Sequence, residues 1–304
     1  MTFLLTEDQQ MLRDTALAFA RDELPVSHLR ALRDAGANGA DPETRQKLAE
    51  LGFFGVIIPD EPGGEHFGLV GLGQILEVQG RTLAATPLLQ TALIAASVFE
   101  LAGDMDLARN WLPKIASGEV TFALALDEGA HHAPNRIALR ANRADGGYRL
   151  DGSKRFVPDG QHADMFIVVG RTSGEATDEA GIGLFLVPRD ADGVAVQTLN
   201  TLDAHGAAHL VFDGAVGTPI GKVDEGYPVL DAVLDRARAG LAAEMLGSAS
   251  AAFEMTLDYL QTRKQFGQLI GSFQALQHRA AIMFTELELT RSAVVAALSA
   301  IDAG

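Results

Sequence analysis

The sequence predicts an α+β multidomain protein: an N-terminal helical domain, a small antiparallel β-barrel or sandwich in the middle, and an incomplete C-terminal helical bundle. The 304 residues suit two or three domains of ordinary size, and a hydrophobic content of 47% is enough to fill their cores. Apolar residues change from a helical period to a strand period near residue 120 and return to a helical period near residue 222. We therefore expect domains at 1–119, 120–221 and 222–304.

Helices account for the whole of the first predicted domain. Thr6 stands three residues before Gln9, which is the spacing of a capping box at a helix start, and Pro25 ends or interrupts that helix. Further helical segments follow at 43–52 and 68–102. The first domain is therefore predicted to contain no sheet.

The middle domain is predicted from apolar residues at every second position. Ile137, Leu139 and Ala141 alternate with other residues as expected of a strand with one buried face. The further strand candidates are 148–152, 165–169, 183–187, 194–199 and 209–212. Clusters of Gly, Asp and Pro separate them at short intervals, which suits a small barrel or sandwich.

Two long helices are predicted at the C-terminal end, over 228–262 and 273–302. The second carries apolar residues at Ile282, Met283, Leu287, Leu289, Val294, Val295 and Leu298. A two-helix hairpin cannot cover them on more than one side, so something else must pack there. We expect this partner to be another subunit, in a homodimer or homotetramer, or sequence absent from this chain.

The composition excludes several classes of protein. Subtracting 40 acidic from 24 basic residues leaves a formal charge of −16, so no nucleic acid is expected as a partner. The absence of cysteine excludes disulfide scaffolds, thiolate metal sites and thiol catalysis. The start MTFLLTEDQQ does not resemble a signal peptide, and no stretch is apolar enough to span a bilayer, so we expect a soluble, cytoplasmic protein without membrane insertion. The histidines lack a secure metal-ligand spacing, so no metal is expected.

The connection between the two long helices, RKQFGQLIGSFQ from 263 to 274, has an unusual composition for a helical turn. Arg263 can bind two phosphate oxygens, Phe266 can lie against a flat heteroaromatic ring, and Gln274 can hydrogen-bond a sugar or phosphate. Together they would suit a dinucleotide. In the structural alternative, Arg263 satisfies the last carbonyls of its helix and Phe266 belongs to the core. Residue chemistry alone favours this alternative without excluding the dinucleotide.

Longer segments of the sequence resemble one protein family. RKQFGQLIGSFQALQHRAAIM looks like the flavin-binding loop of the acyl-CoA dehydrogenases. LAELGFFGVIIPDEPGG resembles the first-domain signature of that family, WLPKIASGEVTFALALDE its entry into the β domain, and YRLDGSKRFVPDG its middle hairpin. These segments follow the order of the family and extend over the whole chain. The resemblance implies FAD as the cofactor.

The resemblance also implies where the FAD would be held. It would lie at a dimer interface, where the loop of one subunit reaches the FAD of its neighbour with Arg263 toward the pyrophosphate, and the β domain would supply the other wall of the flavin. The implied contacts are Arg263, Gln265, Phe266, Ile270, Phe273 and Gln274 from the loop, and Phe122, Leu124, Phe156 and Pro158 from the β domain.

The β-domain wall departs from the family pattern at two places. Residues 125–129 replace the region of the usual Thr-Glu-Pro-Gly, and Phe156 replaces the usual Trp beside the flavin. Side-chain hydrogen bonds to the flavin edge are therefore not implied for this chain, whereas Phe156 can still stack. The structural alternative for Phe156 is an aromatic residue of the barrel core.

The family's reaction removes a proton beside a thioester while the adjacent carbon gives hydride to the flavin, so a carboxylate base must face the flavin. In one branch of the family the base position corresponds to Ala237, and in the larger branch it lies beyond residue 304. The catalytic base is therefore unknown, and the C-terminal bundle is expected to be incomplete. Arg238 matches an arginine close to the base, and Asp235 lies one helical turn before it. Both are expected substrate contacts, with an exposed ion pair as the structural alternative.

The resulting expectation is FAD-dependent dehydrogenation of an acyl-CoA thioester to its α,β-enoyl form, with an electron-transfer acceptor protein as partner. One alternative is a subunit of a hetero-oligomer that lends its loop to a neighbour's flavin without a working base. The other is a cofactor-free interaction protein that keeps only the fold.

Overall fold

The computed structural model describes residues 4–37, 39, 41–59, 61, 63–64 and 66–304, and its first third is helical. The helices are α1 (Glu7–Asp22), α2 (Val26–Asp34), α3 (Pro42–Glu50), α4 (Gly68–Thr82), a π-helix (Leu88–Ala95), α5 (Ala96–Leu101) and α6 (Met105–Ala116). The capping box is confirmed, because the amide of Gln9 donates to Thr6 Oγ1 at 3.1 Å. In the first-domain signature, Asp60 and Pro62 lie outside the described residues.

The middle of the chain forms a closed β-barrel, as predicted. Its strands are β1 (Phe122–Ala125), β2 (Arg140–Ala144), β3 (Gly147–Pro158), β4 (Met165–Arg171), β5 (Ile182–Pro188), β6 (Val194–Leu199) and β7 (Ala207–Ile220). Five strands close in the order β2-β3-β7-β5-β4, while β1 pairs with β4 and β6 pairs with β7. The pairings β1–β4 and β2–β4 are parallel and the others among these strands are antiparallel. Phe166, Phe185 and Phe212 belong to the buried core.

Two long helices follow the barrel, α7 (Gly226–Thr262) and α8 (Gln274–Asp302). They complete the predicted order of helical, β and helical regions. Between them lie two short strands, β8 (Lys264–Gln265) and β9 (Gln268–Leu269), and a 3-10 helix (Ile270–Ser272). Within the described part of the chain, none of the helices has the length and apolarity needed to cross a membrane.

The described residues pack as two compact units. The first unit is helical and comprises the described part of 1–29 together with 67–84 and 238–304, so that α4 contacts both α1 and α8. The second unit comprises the described part of 30–66 together with 85–237 and contains the barrel. Each unit therefore combines segments that are distant in the sequence.

Part of the apolar surface of α8 is covered from within the first unit. Val294 and Leu298 are buried, and a Cβ built on Gly73 of α4 would overlap the side chain of Leu298. For Leu298 the expectation of a partner from outside the chain is wrong, because α4 supplies the cover. Ile282 and Leu289 remain 59% and 65% exposed.

Helices α4 and α7 cross backbone to backbone in the first unit. A Cβ built on Gly80 would overlap the carbonyl oxygen of Glu244, and a Cβ on Gly247 would overlap that of Glu77. The hydroxyl of Ser248 donates to the Gly80 carbonyl at 2.9 Å. Because only glycine lacks a Cβ, Gly80 and Gly247 set the distance between these helices.

Glu77 of α4 lies between two arginines in the same unit. Arg13 Nη1 lies 3.3 Å from Glu77 Oε2, and Arg291 Nη1 lies 2.5 Å from Glu77 Oε1. Burial raises the pKa of Glu77, but the hydrogen bonds and charges of Arg13 and Arg291 lower it by more, so the pKa lies below its usual value. The ionised carboxylate therefore links α1, α4 and α8.

The start of α4 is capped by the end of α8. The amides of Leu69 and Val70 donate to the two carboxylate oxygens of Asp302 at 2.7 and 3.0 Å, whereas the N-cap residue Phe67 provides no side-chain cap. Asp302 therefore supplies from a distant part of the chain the acceptor that helix starts require.

Replacing Asp302 by alanine should lower the free energy of unfolding by about 1 to 2 kcal/mol, which is the usual cost of losing a cap. Urea denaturation measures this change. Asp302→Asn keeps one acceptor oxygen and should lose less. Equal stability of wild type and Asp302→Ala would contradict the capping role.

Candidate functional site

A short β-hairpin forms the loop between α7 and α8. Strands β8 and β9 pair antiparallel, and the two residues that connect them, Phe266 and Gly267, have φ values of 50° and 80°. Positive φ at both positions is typical of the type I′ turn, whose twist suits a two-residue hairpin. The amide of Ile270 donates to the carbonyl of Arg263 at 2.9 Å and closes the loop. The turn therefore presents Phe266 at the tip of a defined hairpin.

Phe266 and Arg263 are both available to a ligand. Phe266 is 92% exposed, so its assignment to the core is wrong. Its ring meets that of Phe273 edge to face, with the centroids 6.2 Å apart. The guanidinium of Arg263 makes no hydrogen bond or ion pair with any residue that the structure describes, so it does not cap the helix carbonyls. An exposed ring and an unpaired cation thus lie in one loop.

The other predicted loop contacts lie in the same stretch. Gln265 and Gln274 are exposed, and Ile270 and Phe273 are partly exposed. Gly271 allows the loop to approach α7 closely, since a Cβ there would lie 2.7 Å from the carbonyl oxygen of Leu260. The hairpin and the 3-10 helix thereby bring all six predicted loop residues to one end of the helix pair.

A β-bulge places the second exposed phenylalanine. Strand β3 pairs with β7 up to Lys154 and again from Val157, so that two residues of β3, Arg155 and Phe156, stand opposite the single residue His209. Phe156 has a φ of 48° and is 58% exposed. The alternative that Phe156 belongs to the barrel core is therefore wrong, because the bulge turns its ring outward.

The bulge is fastened to the segment that follows β1. The amide of Arg155 donates to the carbonyl of Asp127 at 2.7 Å. The ammonium of Lys154 donates to the carbonyl of Leu126 at 2.9 Å and to Glu128 Oε1 at 2.7 Å. The structure thus joins the two segments that the resemblance assigns to the wall of a flavin site, after β1 and at the end of β3.

The carboxylates of this segment accept hydrogen bonds from other residues of the barrel domain. Glu128 accepts hydrogen bonds from the amides of Ala138 and Leu139 at 2.8 and 3.0 Å. Asp127 accepts a hydrogen bond from the amide of Ala133 at 3.1 Å, and its other oxygen lies 3.0 Å from His132 Nδ1. Asp127 and Glu128 therefore hold the loop in shape.

The buried ammonium of Lys154 predicts a pH dependence of stability. Burial lowers the pKa of Lys154 from 10.5 to about 8, although the charge of Glu128 opposes this change. Between these two pH values the unfolded chain binds more protons at Lys154 than the folded chain does, so the free energy of unfolding should rise with pH.

This rise is measured by urea denaturation of the wild type and of Lys154→Met at pH values near both limits. The difference in free energy of unfolding between the two proteins should change with pH. A constant difference for Lys154→Met would contradict the pKa shift.

The side chains of strand β1 are buried. Phe122 is fully buried, and its ring packs edge to face against Phe99 and Trp111 at centroid distances of 5.4 and 5.6 Å. Leu124 is also buried, at 6% exposure, whereas Pro158 is exposed. The ring of Phe122 therefore belongs to the core of the second unit, and the cofactor contacts expected of Phe122, Leu124 and Pro158 stay predictions.

Residues of the π-helix hold β1 in place, a role that the sequence analysis did not predict. Thr91 Oγ1 accepts from the amide of Phe122 at 3.0 Å, and Gln90 Oε1 accepts from the amide of Leu124 at 3.1 Å. A polar pair inside the apolar run LLQTALIA was the available signal, since buried polar groups need partners. His209 was missed as a partner of Phe156, because no sequence pattern reveals a bulge.

The predicted substrate contacts lie on α7. Asp235 and Arg238 are both exposed, and Ala237 between them is half-buried and carries no ionisable group. Arg236 turns elsewhere and pairs with Glu100, with Arg236 Nη1 2.6 Å from Glu100 Oε2. This part of α7 therefore offers no carboxylate at the position that the resemblance gives for a base.

The chain matches three domains of known proteins: the acyl-CoA dehydrogenase N-terminal domain over residues 6–119, the middle domain over 126–215 and the C-terminal domain over 224–304. Among curated relatives, the mitochondrial short/branched chain specific acyl-CoA dehydrogenase of Rattus norvegicus is 26% identical over 98% of this chain and 70% of that protein.

Two solved structures are similar over nearly the whole chain. Butyryl-CoA dehydrogenase from Megasphaera elsdenii gives a TM-score of 0.91 at 25% identity, over 98% of this chain and 80% of that chain. The ChsE4-ChsE5 complex from Mycobacterium tuberculosis gives a TM-score of 0.85 at 29% identity, over 97% and 78% respectively. The three matched domains and these similarities agree in order and extent, and the chain belongs to the acyl-CoA dehydrogenase family.

Proposed function

We propose that the chain binds FAD and takes part in the dehydrogenation of an acyl-CoA thioester to its α,β-enoyl form. The observation that carries the proposal is the pair Phe156 and Phe266. Both are exposed aromatic residues on backbone with positive φ, a conformation that is strained for bulky residues and that clusters at binding sites. Both are also residues that the resemblance assigns to a flavin.

The chemistry of these residues fits FAD. A flat heteroaromatic ring is matched by Phe156 and Phe266, and a pyrophosphate is matched by Arg263, whose guanidinium has no partner among the described residues. When bound, FAD supplies the acceptor for a hydride. In the proposal the hairpin of one subunit serves the flavin of its neighbour, in a homodimer or homotetramer.

The residues of this chain would bind the cofactor and orient it. Arg263 would pair with phosphate oxygens, the polar side chains of Gln265 and Gln274 would hydrogen-bond the cofactor, and Ile270 and Phe273 would give the loop its apolar contact. The segment after β1 and the end of β3 would form the other wall of the flavin site and limit the access of water to it. Arg238 and Asp235 remain the proposed substrate contacts.

A second candidate function is that of a partner subunit in a hetero-oligomer. Ala237 favours it, because alanine cannot remove a proton from the substrate. One structural neighbour is itself a complex of two named proteins, ChsE4 and ChsE5. In this case the hairpin would lend Arg263 and Phe266 to the flavin of the partner. The domain limits 1–119, 120–221 and 222–304, the acceptor protein and the cytoplasmic location stay predictions.

Visible absorbance of the purified protein separates these functions. Oxidised flavin in the purified protein, bleached by addition of an acyl-CoA, is the result expected of the enzyme. Flavin that is bound but does not bleach favours the partner subunit. A colourless protein that takes up no FAD on incubation would contradict the enzyme and would favour the cofactor-free interaction protein.

A further inference from the structure

The bulge that exposes Phe156 leaves two backbone amides without their ladder partners. On the β3 side of the gap stand Arg155 and Phe156, and on the β7 side stands only His209. The amide of Arg155 finds the carbonyl of Asp127. The amide of Phe156 donates instead to a side chain, His209 Nδ1, at 3.1 Å. A side chain of β7 thus provides the acceptor for the Phe156 amide in place of a backbone carbonyl of the ladder.

This hydrogen bond acts on a strained residue. Phe156 holds a φ of 48°, which for a phenylalanine costs on the order of 1–3 kcal/mol and persists only where the surroundings enforce it. His209 is half-buried in the regular part of β7, which pairs with β6 on its other side at Gln197. A rigid strand therefore carries the acceptor that fixes the orientation of Phe156.

We propose that His209 is a positioning residue, which holds the Phe156 ring in the orientation that meets the flavin. The inference rests on the proposed function, since it assigns Phe156 to the flavin wall. It requires an unprotonated Nδ1, because the amide donates to the lone pair on that nitrogen. His209 itself need not touch the cofactor.

The test compares three variants. His209→Leu removes the acceptor. His209→Asn keeps it, since the Asn Oδ1 occupies nearly the place of the His Nδ1. Gln197→Leu is the matched control, because Gln197 is the cross-strand neighbour of His209 on β6 and makes no hydrogen bond to Phe156. Thermal denaturation of each variant shows that it is folded.

The first measurement is amide hydrogen exchange in the cofactor-free protein. The amide of Phe156 should exchange roughly 10-fold faster in His209→Leu, the factor that corresponds to a hydrogen bond of ordinary strength. It should exchange at the wild-type rate in His209→Asn and Gln197→Leu. Unchanged exchange in a folded His209→Leu would overturn the proposal.

The second measurement is the dissociation constant of FAD. His209→Leu should raise it about 2- to 10-fold, the factor that corresponds to the loss of one aromatic ring contact, and His209→Asn and Gln197→Leu should bind FAD like the wild type. A wild type that takes up no FAD would defeat the proposed function together with this inference. A wild type that binds FAD, with an unchanged dissociation constant in His209→Leu, would defeat the inference alone.

Discussion

Replacing Arg263 by alanine should weaken FAD binding about 10-fold or more, as expected from the loss of a charge-assisted hydrogen bond worth roughly 1.5 to 3 kcal/mol. The guanidinium has no partner among the described residues, so its removal leaves no buried group unsatisfied in the protein. The fold should therefore be unchanged. Titration of the cofactor-free protein with FAD, followed by flavin fluorescence, gives the dissociation constant.

The matched control for Arg263→Ala is Lys264→Ala. It removes the same charge from the neighbouring exposed residue of the hairpin. A general electrostatic effect on the dinucleotide would weaken binding equally in both variants, whereas bidentate recognition of a phosphate is specific to arginine. An equal loss in both, or FAD binding unaffected by Arg263→Ala, would contradict the assignment.

Gly80→Ala should destabilise the protein by about 1–3 kcal/mol or more, which is the usual cost of forcing extra atoms into a packed interface. Alanine has the better helix propensity by about 1 kcal/mol. The new Cβ, however, overlaps the backbone carbonyl of Glu244, which cannot rotate away as a flexible side chain can. The clash therefore outweighs the propensity, and α4 and α7 must separate. Thermal and urea denaturation measure the loss.

Gly129→Ala serves as the control for Gly80→Ala. Gly129 has no positive φ, and the nearest atoms to a built Cβ lie 4.0 Å away, so alanine fits without a clash. Its stability should match that of the wild type or exceed it by a few tenths of a kcal/mol. A Gly80→Ala protein as stable as the wild type would show that the two helices can move apart at little cost.

The sequence predicted those elements that follow from local periodicity. The capping box at Thr6, the break at Pro25 and the alternating burial from Ile137 to Ala141 depend on residues close together in the chain, although strand β2 itself begins only at Arg140. The order of helical, β and helical regions follows from the same signal. The loop from Arg263 to Gln274 was recognisable because its residue types resemble those of a known family.

The features that the sequence did not predict depend on residues far apart in the chain. The cover of Leu298 comes from Gly73, and the cap of α4 comes from Asp302. The bulge at Phe156 depends on how β3 and β7 pair, and no local sequence pattern reveals the extra residue in β3. The packing of Phe122 likewise depends on distant residues, since its aromatic partners come from α5 and α6.

The π-helix completes the hydrogen bonding of a buried strand edge. Strand β1 stands at the end of the sheet path and has β4 as its strand partner there, so some of its amides face away from the sheet. Thr91 and Gln90 accept from the amides of Phe122 and Leu124 with side-chain oxygens. Two polar side chains thus take the place of a further strand, and the terminal strand can lie inside the core without unpaired amides at these positions.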